Sequence, residues 1–177
     1  MKKTLVLLAT LLALAIGATA QQQITFSDLP LVGSPTPMPS GYSSLNWSNF
    51  WYVDPGEYAG AGPGYNNLFT HRDVAFIGGQ HCAPLGPACF GTITSLGSRT
   101  AFQVVSAVMA AGYRANQITV SAYNNGSFVG SFSFNLGTVP QAVSFPASWG
   151  AITEMQIQTD EAGDLVLLDL NAYTLGG

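Results

Sequence analysis

Between Ile24 and Tyr173 the chain is a succession of short runs rich in β-branched and aromatic residues. Each is cut off by glycine, proline or asparagine before it reaches helical length. The clearest pair is ITVSAY and SFVGSFSF, separated by Asn124-Asn125-Gly126. Asn-Gly supplies the positive φ that a tight hairpin turn requires, so these two runs read as adjacent antiparallel strands. Further strand-like runs are Ile24 to Phe26, Leu45 to Val53, Asp73 to Ile77, Phe90 to Leu96, Val139 to Phe145, Ile152 to Gln158 and Leu165 to Tyr173. Ala101 to Tyr113 could pass for a helix on its alanines, but Phe102, Val104 and Val105 favour a strand and Gly112 ends it. Pro35, Pro37 and Pro39 make Pro30 to Gly41 an extended loop that cannot join a central strand, and Gly56 to Tyr65 reads as a glycine loop. About nine strands at this spacing, with no repeat and no linker, predict one all-β domain built as a two-sheet antiparallel sandwich.

The two ends of the chain match each other. ITFSDLP near the start and LVLLDLNAYTL at the far end are apolar runs that each hold one acid, Asp28 and Asp169. The first and last strands of a jelly-roll sandwich have this character when they pair and share a cation, so Asp28 and Asp169 are the candidate metal ligands.

Residues 1–20 have the form of a cleavable signal peptide: Lys2 and Lys3, an apolar run from Leu5 to Ile16, then Ala18-Thr-Ala20 before Gln21. That run is too short for a membrane span of roughly 20 residues. The mature domain is therefore 21–177, exported, and extracellular or cell-wall associated. Both lysines leave with the leader, and Arg72, Arg99 and Arg114 remain against nine acids. A phosphate backbone needs clustered Lys and Arg to displace its counterions, so nucleic acid is excluded as a partner, and so is an electrostatic hold on a membrane. Neutral partners remain, sugars above all.

Cys82 and Cys89 lie in HCAPLGPAC with six residues between them. In an exported chain such a pair most simply forms a disulfide, worth roughly 2.5 kcal/mol for so short a loop. A copper or zinc site using His71, His81 and Met109 is the alternative, but the Cys, His and Met of a copper-binding loop are not clustered here. Catalytic sets are also missing. There are two histidines and no G-x-S-x-G, and the acids Asp54 with Glu57, or Glu154, Asp160, Glu161 and Asp164, sit mainly in turn sequences where solvation accounts for them.

Aromatic residues are the richest chemistry left. Trp47, Phe50, Trp51 and Tyr52 fall in one run, with Tyr58 and Tyr65 in the glycine loop after it. Strand alternation would put Trp47, Asn49 and Trp51 on one face and Phe50 and Tyr52 on the other. A sugar ring stacks on a flat aromatic face, and the amide of Asn66 can bond its hydroxyls. Trp47, Trp51, Tyr58, Tyr65 and Asn66 are therefore the expected ligand platform, against the alternative that both faces are buried. Asn46-Trp-Ser and Asn125-Gly-Ser fit the N-glycosylation acceptor pattern, and Asn125, at a hairpin tip, should be the more fully modified in a eukaryotic host.

The order ITFSDLP, P-S-G-Y-S-S-L-N-W-S-N-F, VAFIGG, the hairpin ITVSAYNNGSFVGSFSF, and LVLLDLNAYTL resembles a group of secreted fungal and bacterial extracellular proteins. Their domains are similar to galactose-binding-like jelly rolls and carbohydrate-binding modules. The resemblance spans nearly all of the mature chain and implies a jelly roll, a structural calcium near the adjoining first and last strands, and no shared activity. Such domains carry an acid pair in the first motif and Asp-Asn in the last. Here the positions read Ser27-Asp28 and Asp169-Leu170, one oxygen ligand fewer at each end, while calcium takes six to eight oxygens. Two function classes follow: a secreted, non-catalytic module binding neutral polysaccharide or cell-wall glycan, or a structural or interaction protein, such as a matrix component or secreted effector. An enzyme comes third.

Overall fold

The computed structural model describes residues 21–58, 62–68, 73–77, 89–97, 100–160 and 165–175. Twelve strands fall in them: β1 Gln21–Ile24, β2 Thr36–Pro37, β3 Leu45–Ser48, β4 Phe50–Val53, β5 Val74–Ile77, β6 Phe90–Ser95, β7 Ala101–Ala111, β8 Asn116–Asn124, β9 Ser127–Leu136, β10 Gln141–Ser144, β11 Glu154–Thr159 and β12 Leu165–Leu175. One α-helical turn, α1 at Pro63–Asn66, and two 3-10 turns, at Tyr42–Ser44 and Ala147–Trp149, interrupt them; Pro63 stands in the first turn of α1, where its missing N–H costs nothing. The strands form two antiparallel sheets. A seven-stranded sheet runs β10-β7-β12-β5-β4-β2 with β1 also on β12, and a five-stranded sheet runs β3-β6-β11-β8-β9. The fold is the expected two-sheet jelly-roll sandwich, with more strands than the nine or so counted from sequence.

The ends of the chain meet as the sequence suggested. β1 pairs with the C-terminal half of β12, Gln21 opposite Tyr173 and Ile24 opposite Leu170, while the N-terminal half of β12 pairs with β5 along the same side. The strand lies earlier than Ile24 to Phe26, because Phe26 turns into the left-handed region (φ 61) and drops its ring into the core. Ala101–Ala111 is indeed a strand, and the Asn125-Gly126 hairpin has both turn residues at positive φ, 48 and 77.

The main core lies between the sheets, where alternate residues such as Ile118, Val120 and Ala122 of β8 meet Ala107, Met109 and Ala111 of β7. Met109, weighed as a metal ligand, is fully buried there. Gly91 lets the core close: a Cβ on it would lie 2.5 Å from the Phe50 ring. A second, smaller cluster covers the outer face of the seven-stranded sheet, where Tyr65 and Leu68 close over Val53, Val74, Phe76, Val166 and Leu168. Gly64 allows this, since its N–H bonds the Gly112 carbonyl at 2.8 Å and a side chain there would run into the Ala111 carbonyl.

Among the described residues no helix is long and apolar enough to cross a membrane. The proposed signal peptide lies outside the described residues, as do Cys82, His71 and His81. The cysteine pairing is thus not described; Cys89 is buried beside β6 and its N–H reaches the Thr159 hydroxyl.

Candidate functional site

The expected platform from Trp47 to Tyr65 is corrected by one residue. Asn49 adopts φ 60, and the run Leu45 to Val53 breaks there into β3, in the five-stranded sheet, and β4, in the seven-stranded one. The kink resets the alternation. Trp47 and Phe50, assigned to opposite faces, both point between the sheets with rings 5.2 Å apart, edge to face. Trp47 is 8% exposed, and its indole N–H donates to the Tyr42 carbonyl at 2.9 Å. Trp51 points the other way, half-buried against the outer cluster with Tyr58. Tyr65 is 0% exposed, ringed by Tyr58, Phe76 and Tyr113. Trp51, Tyr58 and Tyr65 are therefore brought together, but to cover the sheet. A fully enclosed ring offers no face to a sugar, so Tyr65 and Trp47 belong to the core. Asn66 stays exposed on α1.

Asp28 lies in the turn after β1 and accepts a hydrogen bond from the Tyr42 hydroxyl at 2.5 Å. Burial first, then this bond and the charge of Asp28, push the Tyr42 pKa up from its usual value. Asp169 lies half-buried at a bulge in β12, opposite Val108. Among the described residues no three His, Cys, Asp or Glu side chains gather as metal ligands, so a calcium shared by Asp28 and Asp169 would draw most of its oxygens from main chain and water. Asp54 caps its own turn by accepting from the Gly56 N–H. Of the two glycosylation acceptors, Asn125 is exposed at the β8–β9 tip and Asn46 half-buried on β3.

The outer face of the five-stranded sheet is different in kind. Strand pairing sets Ser48, Thr92, Gln156, Ser121 and Ser131 in one row across all five strands. A second row runs Phe90, Gln158, Thr119, Ser133, and a third runs Asn46, Thr94, Glu154, Tyr123, Phe128. Glu154 is the one charged residue in these strands. Phe90 is 59% exposed at the side of a cleft of about 280 Å³ that it shares with Thr119, Ser121, Gln156 and Gln158. Thr119 and Ser133 bond each other at 2.8 Å, and Gln156 donates to Glu154 at 2.7 Å, which holds these side chains in place. The Gln158 amide has no partner among the described residues. At the far side of the face Tyr123 and Phe128 meet edge to face at 5.7 Å. Sequence reasoning did not bring these residues together as a surface; the signal was the alternation in TITS, QIQT and ITVSAY, which puts an uncharged hydrogen-bonding group at every second position.

No protein-family model matches the chain, and no curated protein matches it in sequence. Among solved structures it is similar to a DUF4465 family protein from Bacteroides caccae, at 8% identity over 92% of this chain and 96% of that one, TM-score 0.41. It is also similar to TmCBM61 in complex with β-1,4-galactotriose, at 12% identity over 78% and 95%, TM-score 0.35. A third is the family 32 carbohydrate-binding module from C. perfringens NanJ in complex with galactose, at 15% identity over 79% and 99%, TM-score 0.36. What the exposed face can bind follows from its own side chains.

Proposed function

We propose that the protein is a secreted, non-catalytic module that binds neutral polysaccharide on the outer face of its five-stranded sheet. The observation that carries the reading is Phe90, an aromatic ring left open to solvent beside a cleft of hydroxyls and amides. A pyranose stacks an apolar ring face and offers hydroxyls at its rim, which matches a phenyl ring flanked by Gln158, Gln156 and Thr119. The near absence of charge favours a neutral ligand. Phe90 and Tyr123 lie two strands and four residues apart, roughly 17 Å by strand geometry, so an extended chain of several sugars fits better than a monosaccharide. Nucleic-acid bases stack on aromatic side chains for about 1–3 kcal/mol per contact, and a sugar ring should gain no more, so two or three contacts set affinities in the micromolar to millimolar range.

The test is retention on insoluble cellulose, chitin and β-glucan, with Phe90→Ala and Gln158→Ala compared against Trp51→Ala and Tyr58→Ala. Loss with the first pair, at an unchanged melting temperature, supports the reading. Loss confined to the second pair moves the site to the outer face of the seven-stranded sheet. A wild-type protein that binds none of the three removes the glycan reading and leaves the structural or interaction role.

A further inference from the structure

The five-stranded sheet has one long open edge. β9 runs for 10 residues and, among the described residues, pairs with β8 alone. The other boundary strands are short: β1, β3 and β10 have 4 residues each, and β2 has 2, one of them Pro37. A free edge presents a row of unpaired N–H and C=O groups, which proteins blunt with charge, proline, shortness or a covering loop. β9 contains neither a charged residue nor a proline. Its register shift, opposite Ala122 and Tyr123, is confined to the hairpin tip, and at the other end the Asn135 carbonyl accepts from the Gln141 amide at 3.1 Å, which leaves Gly130 to Phe134 as the regular stretch of edge. The lack of charge reaches further, since the chain from Ala115 to Thr153 holds no Asp, Glu, Lys, Arg or His. Two copies of an acidic protein repel each other over most of their surface, but along this edge no charges are brought together.

We infer that β9 pairs antiparallel with β9 of a second copy of this chain, joining two five-stranded sheets into one continuous ten-stranded sheet about a two-fold axis. The strand is suited to meeting itself. A two-fold at Phe132 sets the outer Ser131 beside the partner's Ser133 and the half-buried ring of Phe132 beside its own counterpart, with Phe134 diagonal to it. A strand of this length covers about 34 Å, and a contact of that size stands at or below the ~1,200 Å² of the smaller specific interfaces, so the dimer forms at micromolar concentrations or above. The polar outer faces become continuous across the junction, and the pairing holds whether or not that face binds sugar.

Sedimentation velocity over a concentration series tests it. The wild-type protein should shift from monomer to dimer, whereas Ser131→Lys/Ser133→Lys and Ser131→Glu/Ser133→Glu should each stay monomeric while melting cooperatively. An equimolar mixture of the two variants should recover the dimer, because Lys on one β9 then faces Glu on the other. Ser131→Lys alone, at an exposed position with no side-chain hydrogen bond, repeats the test if the double variants do not fold. A wild type that remains monomeric, variants that dimerise as it does, or a mixture that stays monomeric overturns the inference.

Discussion

Replacing Trp47 with alanine should unfold the domain at a markedly lower temperature. The indole is 8% exposed and packs its ring against Phe26 at 5.7 Å and Phe50 at 5.2 Å, with its N–H on the Tyr42 carbonyl. Truncating a core tryptophan to alanine removes its transfer energy and leaves a cavity, together about 3–5 kcal/mol. That is a large part of the ~5–15 kcal/mol that holds a domain together. At roughly 2–4 °C per kcal/mol for a chain of this size, the melting temperature should fall by about 6–20 °C. Circular dichroism melts and urea titrations measure it, with the urea midpoint lowered and the slope unchanged. Phe90→Ala is the companion, since at 59% exposed it should stay within about 0.5 kcal/mol of wild type. Should Trp47→Ala melt like wild type while losing polysaccharide retention, the reasoning fails, and the ring is a binding surface after all.

Gly64→Ala should loosen α1 from the sheet, because the new methyl meets the Ala111 carbonyl; faster amide exchange across Leu68 and Phe76 reports it, and unchanged exchange refutes it. Tyr42 has a raised pKa in the folded state, so its contribution is fully present below the ordinary tyrosine range near pH 10 and is lost as pH rises, the unfolded chain ionising first. Urea midpoints should therefore fall more steeply at alkaline pH in wild type than in Tyr42→Phe; equal slopes contradict this. Mass spectrometry of non-reduced secreted protein should show Cys82 and Cys89 two hydrogens short, whereas two alkylatable thiols reopen the metal reading. If Asp28 and Asp169 share calcium, added calcium should raise the melting temperature of wild type and not of Asp169→Asn, and a chelator with no effect on wild type removes the site.

Much of the architecture was legible because it depends on period-two patterning and turn chemistry, which are local. The hairpin at Asn125-Gly126, the strand at Ala101–Ala111 and the pairing of the chain ends all follow from such signals. The platform was misread because it depended on one backbone angle. Asn49 in the left-handed region turns one nine-residue run into two strands in different sheets, and asparagine tolerates that conformation without announcing it. Tyr65 was misread for a different reason. Glycines around it suggested an open loop, when Gly62 and Gly64 are there to let α1 come close to the sheet. The cleft beside Phe90 requires β6, β11 and β8 side by side, an order that no local pattern contains.

The scarcity of charge links these findings. Glu154 and Asp169 are the charged residues within the described strands, so the sandwich must stay soluble through hydroxyls and amides. Its two outer faces meet that demand in opposite ways. The seven-stranded sheet buries its apolar outer side chains under Tyr65, Leu68 and Trp51, which consumes the aromatics that looked available. Among the described residues the five-stranded sheet has no such cover, and it puts mainly uncharged hydrogen-bonding groups outward. Those groups are less tightly hydrated than ions, and water is displaced from them at lower cost. A ligand that presents hydroxyls and an apolar ring face can replace that water group for group, while an anion meets no cation among the described residues of these strands. On this argument Phe90 should lose neutral glycan when truncated, and raised salt should leave the binding of wild type unchanged.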